Sequence, residues 1–159
     1  MEYLVDSERR SVRKATLGDL PRLMRLSKEF YDASPYNGRL TFDESKLKNV
    51  LKMLISSDDS IGTIFIGTKS QGLLACMGVE PFFSTDRVAT EVMWWVSPQD
   101  RGSGIAQELI EAYEGWCRLH GYRMAQMVLL DALKGSSVDR FYTKKGYELT
   151  EKAYIKVLQ

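Results

Sequence analysis

The chain has 159 residues, with 22 Lys plus Arg against 21 Asp plus Glu and a formal net charge of +1. Hydrophobic residues are 44% and charged residues 27%, which excludes a disordered or collagen-like polymer and suits one ordinary globular domain. Balanced charge gives no general reason to expect a nucleic acid, and the basic run Arg9, Arg10, Arg13 and Lys14 is too short to supply one.

Residues 1–10 read as a flexible arm, since Ser7-Glu8-Arg9-Arg10 offers nothing to bury, before a single domain over 11–159. Val12 to Ala15 suits a first strand. Thr16 then stands as an N-cap, with Asp19 three residues on and Leu20, Leu23, Met24, Ser27, Phe30 and Tyr31 at helical spacing. That helix stops before Ser34-Pro35-Tyr36-Asn37-Gly38, a run of turn formers. Leu47, Val50, Leu51, Leu54 and Ile55 form the apolar stripe of a second helix. Gly62–Thr68 and Leu73–Glu80 are strands joined by a hairpin loop, and Val88–Val96 is a third strong strand. Within it, period-two alternation places Glu91 on one face with Met93 and Trp95.

Ser97 to Ser103 is a polar turn. Ile105, Leu109, Ala112, Trp116 and Leu119 then mark a helix over 104–120, closed near Gly121, with His120 at its end as a partner for the helix dipole. Met124–Leu130 is almost wholly apolar, as expected of a strand covered on both faces. Ser136–Lys145 reads as a short helix ended by Gly146, and Tyr147–Leu158 as one or two final strands. This order predicts an α/β (mixed α+β) fold: a mixed sheet with helices on both faces and a right-handed parallel crossover from 88–96 to 124–130.

Two cysteines, Cys76 and Cys117, are too few for a disulfide framework, lie outside any CxxC pair and read as buried structural residues. One histidine argues against a metal site. The N-terminal residues are charged, and no apolar run approaches the ~20 residues of a membrane span, so a cytoplasmic protein that meets no membrane is expected.

Gln99-Asp100-Arg101-Gly102-Ser103-Gly104-Ile105-Ala106 joins a strand to a helix start. Glycines let the backbone turn tightly and admit an anion without a Cβ in the way, and the helix start adds unpaired amides and a positive dipole end. The loop is not GxxxxGK[ST], and Gln107 stands where a dinucleotide loop needs its third glycine. A turn that merely starts a helix is the bland alternative.

Gln99-x-x-Gly102-x-Gly104 resembles the Q/R-x-x-G-x-G/A signature of the GNAT superfamily of acyl-CoA-dependent N-acetyltransferases. Ser11–Thr16 with Asp19-Leu20 is similar to that family's opening strand and helix. Phe141-Tyr142-Thr143-Lys144-Lys145-Gly146-Tyr147 resembles its late F-Y-x-K-x-G-F/Y segment, so the likeness runs from about Val12 to Leu149. It implies a largely antiparallel sheet of six to seven strands with one splayed parallel pair. It also implies transfer of an acetyl group from acetyl-CoA, as cosubstrate and without a metal, directly to a primary amine of an acceptor. Related proteins are often homodimers.

By this resemblance Trp94, Trp95 and Val96 contact pantetheine through main-chain atoms, and the amides of Arg101, Gly102, Ser103, Gly104, Ile105 and Ala106 hold the pyrophosphate. Tyr142 is the general acid for the departing thiolate, and its alternative is a packed helix tyrosine. Glu91 is the candidate base that takes the ammonium proton, with an ion-paired or solvent-facing strand residue as its alternative; Asp131 is the reserve. Phe30, Tyr31 and Tyr36, with the final strands around Glu148–Tyr154, are the candidate acceptor site. Gly135 stands where many members carry an Asn, and Val138 where they carry an Ala. These departures leave open a catalytically silent module that binds CoA or a partner.

Overall fold

The computed structural model describes residues 11–130 and 137–159. Strand β1 (Val12–Lys14) leads into a 3₁₀ turn, Leu17–Asp19, where the Asp19 carboxylate accepts the Thr16 N–H at 2.8 Å. The turn runs into helix α1 (Leu20–Ala33), which buries Leu20, Leu23, Leu26 and Ser27. Helix α2 (Glu44–Ser56) starts at Asp43, whose side chain accepts the Lys46 N–H at 2.9 Å, and buries Leu51 and Leu54. Strands β2 (Gly62–Gly67), β3 (Gly72–Val79) and β4 (Val88–Val96) follow. Helix α3 (Ile105–Leu119), strand β5 (Met124–Gln126) and helix α4 (Ser137–Lys144) complete the regular elements.

The five strands lie in chain order, β1-β2-β3-β4-β5, antiparallel except for the last pair. Each face of the sheet carries its own core. Ile64, Ile66, Leu73, Ala75 and Met93 pack with Leu23, Leu26, Leu51 and Leu54 of α1 and α2. Phe65, Leu74, Cys76, Ala89 and Val96 pack with Leu109, Ile110, Tyr113 and Trp116 of α3 and with Tyr142 of α4. The expected helices on both faces are therefore present, and the apolar residues of β2 and β3 are divided between them.

Two strand expectations need correction. Met124–Leu130 was expected as one strand covered on both faces, but β5 ends at Gln126 and Met124 is 60% exposed. Its pairing with β4 covers only Val88–Thr90 against Met124–Gln126, because the next amide donated toward β4, that of Val128, goes to the Glu91 side chain. Tyr147–Leu158 forms no strand, and among the described residues the sheet has five strands rather than six or seven. A strand exists only by pairing, and this segment pairs with nothing described. Residues 1–10, Asp131, Gly135 and Ser136 lie outside the described residues.

The alternation of β4 also departs from expectation. Ala89 and Val96 sit in the same core although seven residues separate them, an odd number that a regular strand would place on opposite faces. The pairing with β3 explains this: Cys76 faces Glu91 and Ala75 faces Met93, which leaves Val92 as the extra residue of a β-bulge. Met93 and Trp95 therefore face α1 and α2, whereas Glu91 faces α3 and α4 with Trp94. The shared face expected for Glu91, Met93 and Trp95 does not exist.

Candidate functional site

Two parallel strands that part company leave backbone groups on their facing edges without partners. Here β4 and β5 are paired up to Thr90 and Gln126 and are unpaired beyond. The bulge at Val92 lies at the point of divergence, and Glu91 lies immediately before it.

Glu91 is 8% exposed, and its Oε2 accepts the Val128 N–H at 3.3 Å. Burial pushes its carboxyl up to about 7, against the opposing pull of that hydrogen bond. Tyr142 reaches the same residue from α4, its hydroxyl donating to the Val128 carbonyl at 2.9 Å. Burial raises the Tyr142 phenol above the ordinary tyrosine range, and the nearby Glu91 charge adds to this. The Trp94 ring lies 5.7 Å from the Tyr142 ring and 6.4 Å from Phe141. Its indole N–H is buried and has no acceptor among the described residues. Glu91, Trp94 and Tyr142 thus meet in one place, on the α3 and α4 side of the divergence.

Trp95 points the other way. Its indole N–H donates to Glu29 Oε2 at 2.9 Å, and the fully buried Ser97 hydroxyl donates to the same oxygen at 2.6 Å. Phe30 meets the Trp95 ring edge-on at 6.3 Å. Tyr31 turns away from this group, against Phe42 and the Leu40 carbonyl, and Tyr36 is partly exposed in the following loop. Of the three candidate acceptor residues only Phe30 touches β4. Glu29 was not singled out from the sequence. Its one signal is its position three residues after Leu26, at the margin of the apolar stripe of α1.

The glycine loop takes the shape its sequence suggests. Gly102 has φ +83° and Gly104 φ +91°, conformations that cost a residue with a Cβ, and Gly104 is the N-cap of α3. The amides of Arg101 and Ser103 donate to Pro98 and Asp100 within the loop, at 3.3 and 3.4 Å. Those of Gly102, Gly104, Ile105, Ala106 and Gln107 have no acceptor among the described residues. The Arg101 guanidinium lies over the Trp95 ring at 4.7 Å, with Nε donating to the Val96 carbonyl at 3.1 Å. Its charge is therefore anchored beside the loop. Asp100 braces the loop from below, accepting the Gln71 N–H at 2.6 Å.

The cysteines are inert in this setting. Burial raises both thiols, Cys117 to about 11 and Cys76 further. His120 caps α3, and its Nε2 lies 3.0 Å from Asp59. Among the described residues no group of three or more His, Cys, Asp or Glu stands close enough to hold a metal ion, and no helix is long and apolar enough to cross a membrane.

The sheet thus splays at a bulge, and the splayed strand β4 leads through the glycine loop to the open amides at the start of α3. A family model described as an acetyltransferase (GNAT) domain matches residues 60–149, more than half of the chain, and the chain belongs to that family. No curated protein matches it. Among solved structures, an integron cassette protein from the mobile metagenome of Cole Harbour Salt Marsh is 21% identical, with 92% of this chain and 88% of that one covered and a TM-score of 0.71. A tetramutant of the BH1408 protein from Bacillus halodurans is 18% identical over 92% and 99%, with a TM-score of 0.73. An aminoglycoside acetyltransferase from an uncultured soil metagenomic sample, solved in complex with sisomicin, is 17% identical over 93% and 95%, with a TM-score of 0.67. These likenesses are likenesses of fold.

Proposed function

We propose that this protein transfers an acetyl group from acetyl-CoA directly to a primary amine of a small-molecule or protein acceptor. The observation that carries the reading is the joint position of Glu91 and Tyr142 on the two sides of Val128, where the parallel strands divide.

The donor sets fit the cosubstrate. The open amides of Gly102 and Gly104 to Gln107 suit a pyrophosphate, reinforced by the positive end of α3 and the nearby Arg101 charge. The unpartnered Trp94 indole N–H and the edge of β4 turned away from β3, at the Trp94 peptide groups and the Val96 N–H, suit the amides and carbonyls of a pantetheine arm; Trp95 pairs with Leu73 and the Val96 carbonyl is held by Arg101. Bound there, acetyl-CoA supplies an activated acyl carbon; the reaction forms an amide N–C bond and breaks the thioester C–S bond.

Glu91 takes the ammonium proton of the incoming amine, directly or through one water. A carboxyl near 7 is matched to that task, since it ionises at neutral pH yet holds a proton well enough to withdraw one. Tyr142 delivers the proton that sulfur needs as it leaves. Its hydroxyl exchanges the Val128 carbonyl for the more strongly accepting thiolate, and its buried setting keeps the proton in place until then. Phe30, packed on Trp95 on the α1 side of β4 and so across the sheet from Glu91, can contact only a part of the acceptor remote from the reacting amine.

The test is incubation with labelled acetyl-CoA and either an extract or a panel of polyamines, amino sugars, aminoglycosides and peptides. Acetyl transfer to an amine, with stoichiometric release of free thiol, is expected. Saturable acetyl-CoA binding with no acylated product from any source would replace this reading with a silent binding module.

A further inference from the structure

Helix α1 reaches the base of the glycine loop through charged side chains. Arg22, Arg25 and Glu29 stand three and four residues apart, on one stripe beside the buried leucines of the helix. Arg22 Nε donates to Gln71 Oε1 at 3.1 Å and its Nη2 to the Ser70 carbonyl at 2.9 Å, and Arg25 donates to the same Gln71 oxygen at 2.6 Å. Gln71 in turn holds the loop: its N–H donates to the Asp100 carboxylate at 2.6 Å, and its carbonyl accepts the Ser97 N–H at 2.8 Å. The two arginines thus brace a backbone turn. Glu29 does something else.

One oxygen of Glu29 accepts two donors, the Ser97 hydroxyl at 2.6 Å and the Trp95 indole N–H at 2.9 Å. Ser97 is fully buried and begins the turn, its carbonyl accepting the Asp100 N–H at 2.9 Å, so it pins the carboxylate from a fixed point. The carboxylate then holds the edge of the indole. On the face of that ring lies the Arg101 guanidinium, at 4.7 Å, with Nε donating to the Val96 carbonyl at 3.1 Å. The terminal N–H groups of Arg101 have no acceptor among the described residues. A chain of contacts therefore runs from buried Ser97 through Glu29 and Trp95 to an unspent cation beside the open amides of Gly102 and Gly104 to Gln107.

We propose that Glu29 is a positioning residue for the cosubstrate: by holding Trp95 it fixes the plane of the ring on which Arg101 rests, and so aims the guanidinium at a diphosphate before one arrives. Order established in advance lowers the cost of binding. A carboxylate this near an anion site opposes the anion by its charge, so its contribution is one of order and not of field. Glu29 touches no reacting atom, since Trp95 and α1 lie across the sheet from Glu91. The proposal rests on the transferase reading for the identity of the diphosphate.

The test is isothermal titration of the full chain with acetyl-CoA, with thermal unfolding to show that each variant folds. Glu29→Ala is expected to weaken binding by about tenfold, and Glu29→Gln, whose amide oxygen accepts the same two donors, to stay within about threefold of wild type. Arg101→Ala weakens binding by itself. Adding Glu29→Ala to it is expected to cost no more than about twofold further, because the group that Glu29 aims is gone. Trp95→Phe keeps a ring beneath Arg101 and removes the N–H that Glu29 holds; it should weaken binding as Glu29→Ala does, and it decides the matter should Glu29→Ala not fold. Wild-type affinity in a folded Glu29→Ala or in Trp95→Phe overturns the proposal. So does a Glu29→Gln as weak as Glu29→Ala, or an equal loss with and without Arg101, the result that a merely structural role gives. A wild-type chain that takes up no acetyl-CoA overturns the transferase reading and this proposal together, whereas tight wild-type binding with additive losses overturns this proposal alone.

Discussion

Glu91 and Tyr142 hold the two polar groups of a single residue: the carboxylate of Glu91 accepts the Val128 N–H, and the hydroxyl of Tyr142 donates to the Val128 carbonyl. One residue of β5's continuation thereby fixes an acid on a strand and a phenol on a helix at a common depth. Val128 can do so because it lies beyond the last β4–β5 pair, where its peptide groups no longer serve a ladder. Loss of ladder pairing and assembly of the candidate pair are the same structural event.

Replacement of Tyr142 by Phe keeps the ring that packs on Trp94 and Tyr147 and removes only the hydroxyl. The Val128 carbonyl loses its partner, so stability should fall by about 1 kcal/mol. Turnover should fall by about 10²-fold or more, the usual size of a general-acid contribution, with KM for acetyl-CoA little changed. Steady-state thiol release against a denaturant titration separates the two effects.

Glu91 predicts opposite pH trends for activity and stability. As a base it must be ionised, so kcat/KM should rise with pH through about 7 and then level, and Glu91→Gln should lose that rising limb. For stability, the folded carboxyl sits above its usual 4.5, so the folded state binds the proton more tightly than the unfolded chain does. Its contribution is complete below 4.5 and is lost as pH rises through about 7, an effect of roughly 3 kcal/mol. Glu91→Gln should flatten this part of the stability profile while abolishing the pH dependence of turnover. A stability curve across pH 4 to 8 that is the same in both proteins would contradict the buried-acid account.

Gly102 and Gly104 can be tested by alanine. A Cβ at either position would meet no atom within 4 Å, so any cost is conformational rather than steric. Each substitution should destabilise by about 1–2 kcal/mol, the cost of left-handed backbone for a residue with a Cβ. The larger effect should fall on acetyl-CoA affinity, because relaxing φ re-aims the amides that follow. Isothermal titration with acetyl-CoA should show weaker binding by about tenfold or more, the equivalent of one lost charge-assisted hydrogen bond.

The parts of this molecule that obey a short-range rule were readable from the residues. Leu20 and Leu23, Leu51 and Leu54, and Ile105, Leu109 and Trp116 follow helical periodicity and are buried where that periodicity places them, whereas Leu119, assigned to the same stripe, is 75% exposed at the end of α3. The loop at Gly102 and Gly104 follows from the steric freedom of glycine at a helix start. Val92 obeys no such rule. Nothing in VATEVMWWV marks it as the extra residue, since either phase of the alternation places apolar side chains on both faces of a sheet covered on both. Glu29 escaped for a related reason: its value lies in the Trp95 N–H and Ser97 hydroxyl that the fold brings to it from far along the chain. The shortness of β5 depends on a side chain of another strand capturing the Val128 amide, a long-range competition that an apolar run does not reveal.

Deletion of Val92 isolates the bulge from everything it touches. Because the bulge adds one residue, its removal leaves Glu91 on the α3 side, Met93 and Trp95 on the α1 side and Trp94 with Val96 on the α3 side. Both cores keep their side chains, so the variant should fold, with a cooperative thermal transition. What changes is the path of the strand: a regular β4 lacks the local bend and added twist that a bulge brings, and it would stay closer to β5 beyond Gln126. Glu91 and Tyr142 would then keep their chemistry but lose their spacing, and a displacement of about 1 Å is enough to cost about 10²-fold in rate. Retained folding with turnover reduced to that degree would show that the bulge shapes the site. Wild-type turnover in the deletion would show that the divergence of the strands is set elsewhere, by Val128 and the Glu91 carboxylate alone.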